Sequence, residues 1–124
     1  MKSFGKFLQS GDWKGEKHVP VIHAPEKVES GEAFELRITV GDAIGHPNTL
    51  EHHIKWFKVF FHGEGDKFPV ELANFTFDAH GELDTTTDYV GAAQVKLPKT
   101  GTIYAMSYCN IHGVWENTMD ITVE

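Results

Sequence analysis

A chain of 124 residues, 40% of them apolar and including nine Phe, three Trp and three Tyr, is long enough for a single core and too hydrophobic to be disordered. A formal net charge of −7 argues against nucleic acid or an anionic membrane as partner, and no apolar run reaches the length of a signal sequence or a membrane span. The lone cysteine, Cys109, permits no intramolecular disulfide and fits a reducing compartment, so the expectation is one domain over residues 1–124 in the cytoplasm.

Residues 1–11 read either as a short amphipathic turn using Phe4, Phe7 and Leu8 or as a loosely held arm. The polar, glycine-punctuated stretch Gly11–His18 leads into Val19-Pro20-Val21-Ile22, where the proline predicts an edge strand because it cannot donate to a ladder. From Ala33 to Val40 the chain alternates, with Phe34, Leu36, Ile38 and Val40 on one face and Glu35, Arg37 and Thr39 on the other, which predicts a half-buried strand. Gly41–Asn48 is loop by composition.

Ile54–Phe61 is nearly continuous apolar and aromatic sequence, predicting a central strand covered on both faces. A hairpin loop at 62–67 precedes a strand around Val70–Asp78, whose apolar phase slips and so predicts a bulge near Ala73-Asn74. Gly81–Asp88 reads as a loop, and further strands are expected near Tyr89–Leu97, Thr102–Tyr108 and Thr118–Val123. Seven strands with regular turn signals and no helical periodicity predict an all-β fold: an immunoglobulin-like antiparallel seven-stranded sandwich or barrel. Such a fold gathers its loops at two ends.

Chemistry concentrates in Ser107-Tyr108-Cys109-Asn110-Ile111-His112-Gly113, where a thiol and an imidazole three positions apart can grip one metal ion at small loop-closure cost. Cys-x-x-His alone also matches zinc knuckles, blue-copper loops and nucleophile pairs. The chain has eight histidines, however, and His18, His46 and His52 lie in two further compact segments. The candidate donor set is therefore His18, His46, His52, Cys109 and His112, with Glu16 an optional sixth, a mixture that suits iron, copper or zinc rather than magnesium or calcium. Adjacent strand residues point to opposite faces, so only one of His52 and His53 can look at a shared ion. His23, His62 and His80 have no companion donors nearby and read as surface or satisfied core residues.

Three segments together carry a resemblance: Gly11-Asp12-Trp13-Lys14-Gly15-Glu16-Lys17-His18-Val19-Pro20-Val21-Ile22, then His46-Pro47-Asn48-Thr49 with Glu51-His52-His53, then the Cys109–His112 segment with Trp115-Glu116. In order and spacing they resemble the superoxide reductases of the one-iron, neelaredoxin type. The resemblance implies one mononuclear non-haem iron per chain, Fe2+ or Fe3+, with equatorial imidazoles from His18, His46, His52 and His112 and an axial thiolate from Cys109. It implies that His112 binds through the other ring nitrogen than the remaining three. It further implies that Glu16 can close the sixth position in the oxidised state, that Lys17 stands beside the open position, and that superoxide is the substrate. Rubredoxin or a similar small iron protein would be the electron donor, and the assembly a homotetramer. The four-cysteine module of the related desulfoferrodoxins is absent, so no second iron centre is expected.

Two other readings compete on the residues alone. A cupredoxin-like electron-transfer protein would use His46, Cys109, His112 and Met119 around copper, leaving His18, His52 and the Glu16-Lys17 pair without a role. A zinc-stabilised binding module would be satisfied by four donors and would strand the fifth.

Overall fold

The computed structural model describes residues 1–124. After a 3-10 turn at Phe4–Phe7 come ten strands: β1 (Val21–His23), β2 (Lys27–Val28), β3 (Phe34–Thr39), β4 (Ile54–Gly63), β5 (Val70–Thr76), β6 (His80–Glu82), β7 (Thr85–Thr86), β8 (Val90–Val95), β9 (Gly101–Cys109) and β10 (Gly113–Val123). They form a three-stranded sheet ordered β1-β3-β8, a five-stranded sheet ordered β2-β10-β9-β4-β5, and the small β6-β7 hairpin. Without the two-residue β2, the two main sheets hold the seven strands expected. No helix is long and apolar enough to cross a membrane.

One core lies between the sheets. Leu36 and Ile38 of β3 and Val95 of β8 meet Phe57 and Val59 of β4, Ile103 of β9 and Ile121 of β10. The alternation read in β3 is real: Leu36 and Ile38 are buried while Glu35 is exposed. Each such side chain contributes about 1.5–3 kcal/mol by leaving water. β1 is an edge strand, as expected, but it begins only at Val21, after Pro20.

β4 is central, between β9 and β5, but it is not covered on both faces. Phe57, Val59 and Phe61 are buried, whereas Trp56 and Phe60 are only half-buried. Those two lie opposite Tyr108 and Tyr104 of β9, so the aromatic run supplies cross-strand pairs on an outer face rather than a second buried layer. The β4–β5 register slips where Val59 pairs with Ala73 but Phe60 with Glu71, leaving Leu72 as the extra residue beside the expected bulge.

Two segments depart from expectation. Gly81–Asp88 has the composition of a loop, yet most of it folds into the β6–β7 hairpin, with Leu83 and Asp84 at φ +49° and +61°. That is the paired positive-φ geometry of a tight hairpin, and leucine gives no signal for it. β10 begins at Gly113 rather than near Thr118, because pairing with β9 runs back through Asn117, Glu116 and Trp115 to Gly113 opposite Cys109. Cys109 and His112 therefore flank the turn of one hairpin, closed by Gly113 at φ +86°. The N-terminal turn exists, but Phe4 and Phe7 stay exposed, and the arm is fastened only beyond it, where Gln9 bridges to Trp115 at the β10 edge.

Candidate metal centre

β4 and β9 run antiparallel with Ile54 opposite Cys109, so the segment just before β4 must lie beside the turn just after β9. His52 and Cys109 become neighbours by register. His18 enters just before β1, and its carbonyl accepts a 2.7 Å hydrogen bond from the buried Ser107 hydroxyl of β9. Next to it, the Asn117 amide donates to the Pro20 carbonyl at 2.9 Å. His46 arrives on the β3–β4 loop, which turns at Gly41 with φ +77°. All four segments meet at one end of the sandwich.

The rings form a square. Neighbouring centroids are 4.8 Å apart for His18–His46, 4.6 Å for His46–His52, 5.0 Å for His52–His112 and 4.7 Å for His112–His18. The His18–His52 diagonal is 6.3 Å. Donor atoms of His18, His46, His52 and Cys109 all lie within 4.8 Å of one another. His112 belongs with them, its Nδ1 being 3.1 Å from His18 Nε2 and 3.8 Å from Cys109 Sγ. Metal–nitrogen bonds of about 2.1 Å at right angles put neighbouring donors about 3 Å apart, which the His18–His112 pair matches.

Hydrogen bonds on the far side of two rings select the inward nitrogen. The Nδ1 of His18 bonds Glu16 Oε1 at 2.5 Å, and the Nδ1 of His46 bonds the Pro47 carbonyl at 2.7 Å. Each contact leaves Nε2 as the lone pair facing the centre. His46 Nε2 and His52 Nε2 are buried with no hydrogen-bond partner. Buried polar atoms without partners are rare and costly, and here both point into a cluster of donors, as a metal-ligating pair requires. His112 alone turns its Nδ1 inward. The completely buried Cys109 accepts the His112 N–H at 3.4 Å, a contact that favours thiolate sulfur.

The electrostatics agree. Burial pushes His46 down to about 4, against the raising effect of the Pro47 carbonyl. Burial likewise lowers His18, outweighing Glu16, and lowers His52, helped by the charges of His112 and Lys17. The three imidazoles are therefore held neutral, the form that binds a metal. Burial raises the Glu16 carboxyl, but hydrogen bonds from the His18 ring and backbone, with the charge of Lys17, overcome it and hold the group ionised. Lys17 takes part in none of the four salt bridges, while its charge reaches His18, His46 and His52.

The copper arrangement fails. Met119 pairs with Ile103, six residues along β10 from the Gly113 that faces Cys109, or about 20 Å at strand rise. His53 turns away from the cluster and stacks on His80 at 3.8 Å, while His80, His23 and His62 all bond protein partners.

A family model described as desulfoferrodoxin matches residues 10–118. The chain belongs to the desulfoferrodoxin family. Among similar proteins of that kind, the superoxide reductase of Pyrococcus furiosus is 44% identical, with 94% of this chain and 96% of that protein covered. The neelaredoxin of Megalodesulfovibrio gigas is 40% identical, covering 94% and 95%. A solved structure from Thermotoga maritima superposes with a TM-score of 0.96 at 47% identity, covering 100% of this chain and 99% of that one.

In this member of the family several supporting contacts cannot be read from the sequence. The Tyr89 hydroxyl donates to the Pro47 carbonyl at 2.8 Å, the same oxygen that holds His46, and accepts the Ile54 N–H at 3.1 Å. Trp115 stacks on His18 at 5.0 Å, and its Nε1 shares the His112 carbonyl with the Gln9 amide. Apart from the Trp115–His112 bond, these contacts cross long sequence separations, which no local pattern records.

The His46 loop gives a direct test. A Cβ on Gly41 would sit 2.8 Å from the His46 backbone nitrogen at a φ that costs an L-residue about 1–2 kcal/mol. Gly41→Ala is expected to lower the unfolding midpoint and to weaken metal retention, measured by thermal melts and by metal content after dialysis. An unchanged metal content would remove the loop from the account of His46.

Proposed function

We propose that this chain is a superoxide reductase, adding one electron and two protons to superoxide and releasing hydrogen peroxide. The observation that carries the reading is the square of four imidazoles set against a fully buried cysteine, with two buried ring nitrogens that have no protein partner. His18, His46, His52 and Cys109, with His112 through Nδ1, would hold one iron per chain. That ion would supply the electron to superoxide and take its replacement from an external donor, cycling between Fe2+ and Fe3+. Five donors and mixed nitrogen–sulfur chemistry favour iron over tetrahedral zinc, which would leave one donor idle.

The chain's own residues then have distinct tasks. Cys109 brings a sulfur donor to the buried side, shielded from water and oxidants. Glu16 orients the His18 ring through its Nδ1, and reaching the sixth position would require that carboxylate to leave His18. Lys17 offsets the −7 net charge locally, drawing in the anionic substrate and ordering the water that delivers protons. We assign Lys17 and Glu16 as the catalytic side chains on this basis.

Anaerobic mixing of the reduced protein with superoxide tests the reading. One peroxide per electron with no dioxygen is expected, whereas dioxygen formed in proportion to peroxide would make the chain a dismutase. Lys17→Ala is expected to slow the bimolecular rate by up to about tenfold and to flatten its dependence on ionic strength, with iron still bound. Stopped-flow rates at several salt concentrations read both, and unchanged rates remove Lys17 from substrate capture.

We further propose a single-domain cytoplasmic protein, re-reduced by rubredoxin or a similar small donor and assembled as a homotetramer. The lone free thiol supports the compartment. A shallow apolar depression lined by Phe60, Pro69 and Tyr104 on the outer face of the large sheet supports association.

A further inference from the structure

Asn110 follows Cys109 in the β9–β10 turn, and its side chain is given no task by the donor set. Its Oδ1 accepts the His53 N–H at 2.8 Å, and its Nδ2 donates to the Glu51 carbonyl at 3.0 Å. Its own backbone N–H donates to the His53 carbonyl at 3.1 Å. The Glu51 carbonyl and the His53 N–H belong to the two peptide groups on either side of His52. One planar amide thus grips both peptides flanking His52 from a residue bonded directly to Cys109.

We propose that Asn110 is a positioning residue that sets the distance and orientation between Cys109 and His52, and so the shape of the metal centre; this rests on the reading of that centre as an iron site. The chemistry is specific to asparagine. Aspartate has no donor for the Glu51 carbonyl, serine is too short to reach both peptides, and glutamine is one methylene longer. The other contacts of the segment lie elsewhere: Thr49 bonds the His52 N–H at 3.0 Å, the Thr49 hydroxyl and amide both meet the His52 carbonyl, and His53 stacks on His80. They shape the turn but do not tie it to the cysteine. Asn110 is itself exposed, so replacing it empties no space in the core.

Two variants separate the bonds: Asn110→Asp keeps the acceptor for His53 and loses the donor to Glu51, and Asn110→Ala loses both. Iron-loaded parent and variants are challenged with an excess of chelator while the visible absorption is followed. Amide exchange at His53 is measured in parallel, together with the unfolding midpoint. The expected result is iron loss accelerated on the order of tenfold, the usual scale for losing a partner that orients a ligand. A displaced visible band and faster exchange at His53 should accompany it. Iron loss at the parent's rate with an unmoved band overturns the assignment, even if the unfolding midpoint falls, since that would make Asn110 merely structural. A parent chain that retains no iron would instead sink the reading of the centre, and this assignment with it.

Discussion

Cys109→Ser is expected to abolish the visible thiolate absorption of the oxidised protein and to cut the rate of superoxide reduction by more than the roughly 10- to 100-fold that losing an outer partner of a metal site costs. The argument starts from position. Cys109 is fully buried where β9 meets the turn, and its sulfur lies 3.8 Å from His112 Nδ1 and accepts the His112 N–H. A serine hydroxyl keeps the shape but not the donor: it is a hard, ordinarily neutral oxygen in place of a soft anionic sulfur, so the balance of charge at the centre changes. The fold should survive, because the β4–β9–β10 ladders do not depend on that side chain. Absorption spectra, metal analysis and stopped-flow kinetics on the same sample check the three parts. A serine variant that keeps both the absorption and the rate would remove sulfur from the centre.

Removing the metal is expected to lower the unfolding midpoint by on the order of 10 °C. An ion that binds only the folded chain contributes about 4 kcal/mol when present at a thousand times its dissociation constant. Part of that difference is the cost of leaving His46 Nε2 and His52 Nε2 buried without partners. Acid should act in the same direction. His18, His46 and His52 are all depressed by burial, so the unfolded chain binds more protons than the folded one below the ordinary histidine value of 6.5. Stability and metal affinity are therefore present above that value and fall as pH drops toward the value of about 4 held by His46. Calorimetry with and without chelator, repeated between pH 7 and 4, measures both effects. Equal midpoints for loaded and stripped protein would show that the donors are content without an ion.

Much of this molecule can be read from the chain because local periodicity reports local geometry. Leu36 and Ile38 alternating with charged residues announce a strand with one wet face, and Pro20 announces an edge. The Cys109–His112 spacing and the two histidine segments nominate the donors, because residue type alone limits what can bind a transition metal. Continuous apolar sequence in β4 was a weaker guide. It carries no information on whether a second layer covers Trp56 and Phe60, and here none does.

The arrangement of the donors belongs to the tertiary structure. Which imidazole stands next to which, and that His52 rather than His53 faces inward, follow from pairing strands about fifty residues apart, whereas Glu16 reaches the His18 ring within its own loop. The Tyr89, Gln9 and Asn110 contacts arise in the same way. A side chain's identity sets what chemistry it can offer. Only register and packing set the point in space at which it is offered, because hydrogen bonds and metal geometry act over distances of a few ångströms between segments the chain itself holds far apart.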